Sequence, residues 1–308
     1  MRKKILITGG TGSLGKALIK KIKGLGWKII VYSRDEGKQA LAFGSDPDII
    51  RVIGDVRDLT KIDTTMRLHK PDFVIHAAAL KRVDDMEFHP DECIKTNVMG
   101  SQNVATAALA NDVKKCMLIS TDKACQPINV YGSSKFIAER IFTNFDYNSS
   151  RGSFIPLWMD KVRNKEQIPI TSFDCSRFLF TLDDAVDTVL LALETAQGGE
   201  VFIPKINSYK LETVLNAVLE MTGVENADTV VNGMRPGEKI HEDMLAKTEL
   251  PFTYEVDETL MVVTPQYTNK EHTYNKRYEG LEYNSSLHLD NDVSSLRKII
   301  EVGVGIEG

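Results

Sequence analysis

The chain is predicted to fold as an α/β protein, a Rossmann-type doubly wound parallel sheet with a smaller C-terminal substrate-binding domain. Three observations predict it. A short apolar run, Lys4-Ile-Leu-Ile-Thr8, opens directly into the glycine turn Gly9-Gly-Thr-Gly-Ser-Leu-Gly15; an amphipathic stretch, Lys16 to Ile22, follows the turn; and apolar runs then alternate with helical stretches to about residue 145. The expected division is 1–145 for the dinucleotide-binding unit and 146–308 mainly for the substrate unit and a tail, with later segments interleaved with the sheet.

The spacing Gly9-x-x-Gly12-x-x-Gly15 removes side chains where backbone must approach a pyrophosphate. The helix behind it aims its amide-rich N-terminus at that charge, and Thr11, Ser13 and Leu14 belong to the same turn. The second strand, Trp27-Lys-Ile-Ile-Val-Tyr32, ends in Ser33-Arg34-Asp35-Glu36. An acidic residue directly at that strand end would bind the ribose diol of NAD, whereas a hydroxyl followed by Arg34, with Lys38 nearby, suits a 2′-phosphate. The expected cofactor is therefore NADP, and Asp35 is the residue that speaks for NAD.

Further along, Ile53-Gly54-Asp55-Val56 ends a strand, and Asp55 and Val56 are expected to flank the adenine. Phe73-Val-Ile-His76 reads as another strand, followed by Ala77, Ala78 and Ala79, whose small side chains let a cofactor lie close beneath its ribose and nicotinamide. His76, at the end of an apolar strand, reads as a packed, hydrogen-bonded core group and not as a catalyst.

The strand Cys116 to Ser120 ends in Thr121-Asp122-Lys123, with Tyr131-Gly-Ser-Ser-Lys135 eight residues further on. An acid, an amine and a Tyr/Lys pair are equipment for redox and proton chemistry. If helical, Tyr131 and Lys135 share one face a turn apart, so the ammonium is expected to lower the phenol's pKa. A tyrosinate there could take a hydroxyl proton while hydride leaves the same carbon.

These residues resemble the extended short-chain dehydrogenase/reductase superfamily, through Thr8-Gly-Gly-Thr-Gly-Ser-Leu-Gly15, Asp55-Val56, Ala77-Ala-Ala79, Asn97 and Tyr131-x-x-x-Lys135. Val31-Tyr-Ser-Arg-Asp-Glu36, His76-Ala-Ala-Ala-Leu-Lys81, Glu92-Cys-Ile-Lys-Thr-Asn97, Ser120-Thr-Asp-Lys-Ala124 and Arg235-Pro-Gly-Glu-Lys239 narrow the resemblance to the inverting UDP-N-acetylglucosamine 4,6-dehydratases, lyases of polysaccharide and pseudaminic acid type pathways. In retaining relatives the tripeptide is Thr-Asp-Glu; here its third residue is Lys123. The resemblance implies that Tyr131 takes the C4 hydroxyl proton, Lys123 the C5 proton, and Asp122 protonates the departing C6 hydroxyl, with Thr121 bonded to O4 beside Tyr131. For this Lys123 is expected to have a pKa well below its ordinary ~10.4, and Asp122 to be shifted upward. Lys135 would hold the nicotinamide ribose, Lys81 would lie near cofactor and substrate, Thr96 beneath the site, and Asn97 would fix backbone.

The resemblance also implies a UDP-sugar site. Arg151-Gly152-Ser153 resembles the loop cradling the sugar nucleotide, and Ile170, in Ile168-Pro-Ile-Thr171, a strand against the uracil. Arg177 and Arg235 would bind the pyrophosphate and Glu238 the ribose hydroxyls. One departure stands out. Relatives of this type run through a strand such as Val-Arg-Tyr-Gly-Asn-Val before Ser-Arg-Gly-Ser, whereas here Asp146-Tyr-Asn-Ser-Ser150 passes straight to Arg151. About twenty residues, ample for a strand and its turn, are missing by that comparison, so a central strand is expected to be absent or carried by an omitted segment between Ser149 and Arg151.

Composition agrees. The 308 residues are 42% hydrophobic with a net charge of -5, giving no broadly basic character for nucleic acid. The sequence has no signal peptide and no apolar run of ~18, so a cytoplasmic protein with no membrane contact is expected. Cys93, Cys116, Cys125 and Cys175 are scattered without a C-x-x-C, against zinc or a disulfide framework, and no metal is expected. Asn148-Ser-Ser and Asn284-Ser-Ser match a glycosylation pattern such a protein would not use. A helix is expected near Asp292 to Ile300. The resemblance implies a homo-oligomer, dimer or hexamer. Two other readings remain open: a UDP-sugar 4-epimerase or C5-epimerase/reductase of the same superfamily, and a non-catalytic dinucleotide-binding scaffold.

Overall fold

The computed structural model describes residues 2–152, 161–162, 164–267 and 270–304. Strand β1 (Lys4–Thr8) is a buried apolar run, and α1 (Ser13–Gly24) buries Gly15, Leu18, Ile19 and Ile22 along one stripe. The alternation continues through β2 (Lys28–Ser33), α2 (Glu36–Phe43), β3 (Ile49–Ile53), α3 (Leu59–His69) and β4 (Phe73–His76). Two short helices, α4 (Val83–Phe88) and α5 (Pro90–Cys93), lead through a π-helical turn at Ile94–Met99 into α6 (Gly100–Ala110), then β5 (Lys115–Ile119) and α7 (Val130–Asn144). The near-continuous apolar character of β1, β2 and β4 follows from burial on both faces, helices covering each side of a parallel sheet.

Six more strands belong to the second half of the alternation or to small satellite sheets: β6 (Asn148–Ser150), β7 (Ile168–Ile170), β8 (Ser176–Phe178), β9 (Val201–Pro204), β10 (Ser208–Lys210) and β11 (Thr229–Val231). They are followed by β12 (Asp243–Leu245), β13 (Thr253–Glu255), β14 (Leu260–Val263), β15 (Lys276–Arg277) and β16 (Tyr283–Asn284). The main sheet has the order β15-β13-β14-β9-β6-β5-β4-β1-β2-β3. From β9 to β3 all pairings are parallel, and β14, β13 and β15 extend the far edge antiparallel. Chain order reverses about β1, which lies between β4 and β2, so a crevice opens beyond the carboxyl ends of β1 and β4. The later segments also pair β8 with β10, β7 with β11 and β12 with β16, around apolar clusters of their own.

The expected loss of a central strand is corrected by β6. Asn148, Ser149 and Ser150 are all buried between β5 and β9, in register with Met117, Leu118 and Ile119. A slot between two parallel strands demands a backbone ladder first, and three small polar residues meet that demand. Ser149 N donates to Glu200 O at 2.9 Å, Ser120 N to Ser150 O at 2.7 Å and Arg151 N to Phe202 O at 3.0 Å. Asn148 adds Oδ1, which accepts from Glu200 N at 3.3 Å.

The expected C-terminal helix forms at Val293–Val304, with Asp292 Oδ1 accepting from Ser294 N at 2.8 Å at its start. None of the described helices is long and apolar enough to cross a membrane.

Candidate active site

A cavity of about 740 Å³ occupies the crevice. Its floor is the glycine turn. Gly9 has a φ of +69°, and a Cβ there would sit 2.8 Å from the Ala78 backbone, so only glycine lets β1 turn under the Ala77–Ala79 segment. No side chain caps α1, whose N-terminus follows Gly12, and so its first amides remain available to an anion.

Every residue expected at the cofactor lines this cavity: Gly9, Thr11, Gly12, Ser13, Leu14, Gly15, Ser33, Arg34, Asp35, Lys38, Asp55, Val56, Ala77, Ala78, Ala79, Lys81, Thr96, Tyr131 and Lys135. Phe180, Ala185 and Val189 also line it, and no sequence motif pointed to them. Two buried hydroxyls on its wall, Thr96 Oγ1 and Ser120 Oγ, have no partner, which fits a polar ligand that would supply one. Asn97 fixes backbone as expected: its Oδ1 accepts from Leu80 N at 2.8 Å, and its Nδ2 donates to Leu80 O at 2.9 Å.

At the strand end that faces the adenosine half, Asp35 is engaged locally. Its carboxylate caps α2 by accepting from Lys38 N at 2.9 Å and lies 3.6 Å from Lys38 Nζ, and these contacts hold its pKa down. Gln39 Nε2 donates to Ser33 Oγ at 2.9 Å and to Val52 O at 3.0 Å, fixing the loop. Arg34 stays largely exposed, 3.8 Å from Asp55, whose principal partner is Arg57 at 2.7 Å.

The catalytic candidates come from two elements pressed together. Asp122 to Ala124 form a single 3-10 turn after β5, and α7 crosses directly above it. A Cβ at Gly132 would lie 2.3 Å from Lys123 O. In an ordinary helix Gly→Ala gains about 0.5–1 kcal/mol, but here overpacking of about 1–3 kcal/mol opposes it. Gly132→Ala is therefore expected to destabilise the fold and lower turnover together, read by thermal melting and initial rates. Asn129 caps α7 by accepting from Gly132 N at 2.6 Å and donates to Gly237 O at 2.8 Å, tying the helix start to the Arg235-Pro-Gly-Glu-Lys turn.

Asp122 is fully buried and accepts from Thr121 Oγ1 at 2.8 Å and Lys123 N at 2.9 Å. Lys123 Nζ lies 3.3 Å from Asp122 Oδ1 and 3.3 Å from Glu242 Oε1. Burial by itself would lower the Lys123 pKa, but the two carboxylates outweigh it and hold the ammonium above its ordinary range. That reverses the expected shift. Glu242, which belongs to no sequence motif, supplies the second carboxylate from far along the chain.

The Tyr/Lys pair also behaves differently from expectation. Burial pushes the Tyr131 phenol up to about 12, and the cation opposing that rise is Lys123, together with a hydrogen bond to Thr121. Lys135 is not among the principal groups that shift it. Its Nζ donates to Ile119 O at 2.7 Å, and burial brings its own pKa down to about 8 against the pull of Glu139. His76 is a core group as expected, with Nδ1 2.7 Å from Thr8 Oγ1 and Nε2 3.1 Å from Ser101 Oγ, kept neutral by burial at a pKa of about 3.

The residues expected at the UDP part company. Gly152 lines the cavity, and Ser153 lies outside the described residues. Arg151 also lines the cavity, but its guanidinium is buried and spent on Glu139 at 2.9 Å, Glu249 at 2.8 Å and Met244 O at 2.9 Å, the bonds of a structural cation. Ile170 is corrected too, since its side chain packs in a cluster with Ile168, Val214 and Leu215. Arg177 is likewise occupied, donating to Ser176 O at 2.8 Å and Ile240 O at 3.0 Å and pairing with Glu238 at 3.1 Å. Arg235 is the exposed member, at 58%, bridging Glu238 at 3.2 Å and Asp84 at 2.6 Å. Glu238 also accepts from Thr171 Oγ1 at 3.1 Å. Among the described residues no cluster could hold a metal ion.

A family profile described as "Polysaccharide biosynthesis protein" matches residues 5–264. The chain is 37% identical to the UDP-N-acetylglucosamine 4,6-dehydratase (inverting) of Campylobacter jejuni subsp. jejuni serotype O:2, over all of this chain and 99% of the relative. That alignment runs to 345 positions against 308 residues, so the relative carries residues this chain lacks. The chain is also 37% identical to the UDP-glucose 4-epimerase of Rickettsia felis, over 80% of this chain and 79% of that one. Among solved structures, Pen from Bacillus thuringiensis superposes with a TM-score of 0.88 at 30% identity, covering 97% of both chains. The profile match over most of the chain, with these full-length likenesses, makes the protein a member of the polysaccharide biosynthesis protein family, related to the inverting UDP-N-acetylglucosamine 4,6-dehydratases.

Proposed function

We propose that the protein is a lyase that removes water across C5 and C6 of UDP-N-acetylglucosamine, giving a UDP-4-keto-6-deoxy-N-acetylhexosamine with inversion at C5, and that NADP is its cofactor. The observation that carries this reading is the buried Asp122 carboxylate 3.3 Å from the Lys123 ammonium, beside Tyr131 on the wall of the cavity. When bound, NADP would supply the hydride chemistry, an acceptor at C4 and a donor at C6. The glycine turn, the Arg34 and Lys38 side chains and Lys135 would hold it.

The protein's own groups handle protons. Tyr131, in its phenolate form, which the Lys123 ammonium favours, receives the C4 hydroxyl proton. One proton passing from Lys123 Nζ to Asp122 turns an ion pair into a free amine and a carboxylic acid together, and so both opposed demands are met by a single transfer. The amine takes the C5 proton, made acidic by the neighbouring ketone, and the acid gives its proton to the C6 hydroxyl, which leaves as water. After C6 has received hydride, C5 takes a proton originating from solvent on the opposite face. On the substrate side, Lys81 and Gly152 line the cavity and are the open positions for the UDP-sugar.

NADP is favoured over NAD because Asp35 is engaged at the helix start while Arg34, largely exposed and held only by a 3.8 Å contact with Asp55, can meet a 2′-phosphate. Arg34→Ala is expected to raise the KM for NADP about tenfold or more, the value of one charge-assisted phosphate contact, and to leave that for NAD nearly unchanged. A cytoplasmic homo-oligomer, dimer or hexamer, completes the reading; exposed Phe88, Ile94 and Met99 are apolar surface that assembly would cover.

Proton NMR of the purified protein with NADP and UDP-N-acetylglucosamine in D2O tests the function. A C6 methyl doublet that collapses to a singlet as deuterium enters C5 is expected. A shifted C4 proton without a methyl signal would replace this reading with the 4-epimerase one, which the Rickettsia likeness favours.

A further inference from the structure

Glu242 belongs to no motif and does not line the cavity, yet it stands against the ammonium on which the proposed chemistry turns. It is 2% exposed. Ser285 pins its backbone on both sides, accepting from Glu242 N through Oγ at 2.8 Å and donating its own N–H to Glu242 O at 2.8 Å. Only the side chain is free to do anything else.

Its bonding differs from that of the other buried glutamates among the described residues. Glu139 and Glu249 place both oxygens on Arg151, and Glu200 places both on Gln197, Gly198 and Tyr274. Glu242 Oε1 has Lys123 Nζ at 3.3 Å and Arg177 Nε at 3.7 Å, and Oε2 has no partner. A buried carboxylate kept for architecture would have both oxygens satisfied. This one is held toward Lys123.

We propose that Glu242 is a positioning residue, the standing counter-ion of Lys123, which holds Nζ from outside the cavity lining and keeps Lys123 a strong proton acceptor after Asp122 has taken up its proton. The inference rests on the role given to Lys123 above. In that step one N–H bond of the ammonium breaks and one O–H bond forms on Asp122, while Glu242 keeps the remaining negative charge. When Nζ then accepts the C5 proton, the new ammonium forms beside an anion already in place.

The surrounding charges suit this division. Burial, and then the Asp122 charge, raise Glu242 above the ordinary carboxylate range, against Lys123 and Arg177. Protonating Asp122 removes that repulsion at the moment Glu242 must remain an anion. The other groups facing the pair are Tyr131 from α7, Arg177 from β8 with Glu238 upon it, and the neighbours His241 and Asp243. His241 Nδ1 is 2.7 Å from Ser176 Oγ and Asp243 pairs with Lys239 at 3.1 Å, so neither competes for Nζ.

Competitive acetylation with acetic anhydride, read at Lys123 by mass spectrometry across pH in the full chain without substrate, tests it. In the native protein Lys123 should become reactive at higher pH than exposed Lys81. Glu242→Gln should move the Lys123 midpoint down by about one pH unit or more, the usual effect of one close countercharge, and leave Lys81 where it was. Glu242→Asp, which withdraws the carboxylate by one methylene, should give a smaller shift in the same direction and serves if the amide is not accommodated. A midpoint unmoved in the variants would overturn the proposal. Because the labelling needs no turnover, failure of the methyl-forming assay and failure of this role for Glu242 are separate results.

Discussion

Replacing Lys123 with alanine is expected to lower kcat by ~10²–10⁴, the range for loss of a general base, while NADP binding survives. The side chain reaches the cavity wall but takes no part in the glycine turn or the α2 loop, so the cofactor half should not register its loss. Its electrostatic surroundings will register it. Lys123→Ala leaves Asp122 and Glu242 in a buried space with Arg177, 3.7 Å from Glu242, as the remaining cation, and one of the two carboxylates is then expected to bind a proton. Lys123→Met, which keeps most of the volume, separates the two consequences: activity should fall as far as in the alanine variant, with less cavity to destabilise the fold. The NMR assay that reports the methyl group measures the first, and thermal melting measures the second. Normal turnover in either variant would remove Lys123 from the C5 step.

What the sequence made legible, and what it hid, divides along sequence separation. The glycine turn, the Ala77–Ala79 run, Thr121-Asp122-Lys123 and Tyr131-x-x-x-Lys135 are local words, each complete within a few residues, and the structure brings all of them to one cavity. Charge partners were hidden because they are distant. Lys123 was expected to be destabilised as a cation, but Glu242, 119 positions along, stabilises it. Arg151, Arg177 and Glu238 looked like ligands because unpaired charges in a sequence always look available. In the fold Arg151 meets residues 12 and 98 positions away and has nothing left to offer. The central strand was hidden for another reason. A strand was sought as an apolar run, whereas the slot between β5 and β9 asks for backbone donors and acceptors, and Asn148-Ser149-Ser150 carries those as well as valines would.

Arg151 carries the largest expected effect on stability. Its guanidinium sits fully buried between Glu139 and Glu249, with Nε and Nη2 on the first and Nη1 and Nη2 on the second. Burial would raise Glu249, but Arg151 overrides it and holds the carboxylate below its ordinary range. Arg151→Met fills the volume and leaves two buried carboxylates without their cation, which should cost about 3–5 kcal/mol at neutral pH, a large part of a domain's ~5–15 kcal/mol. The pH dependence follows from the sign of the Glu249 shift. A carboxylate with a depressed folded pKa contributes stability above its unfolded value near ~4.3, and that contribution disappears as pH falls through the folded value. The native protein should therefore lose stability on acidification below about pH 4, where the variant, whose unpaired carboxylates take up protons more readily, has less to lose. Denaturant titrations at pH 7 and again near pH 4 should show the gap between the two proteins narrowing. A gap that is constant with pH would mean that Arg151 stabilises β6 by packing and its bond to Met244 O, with its charge contributing little.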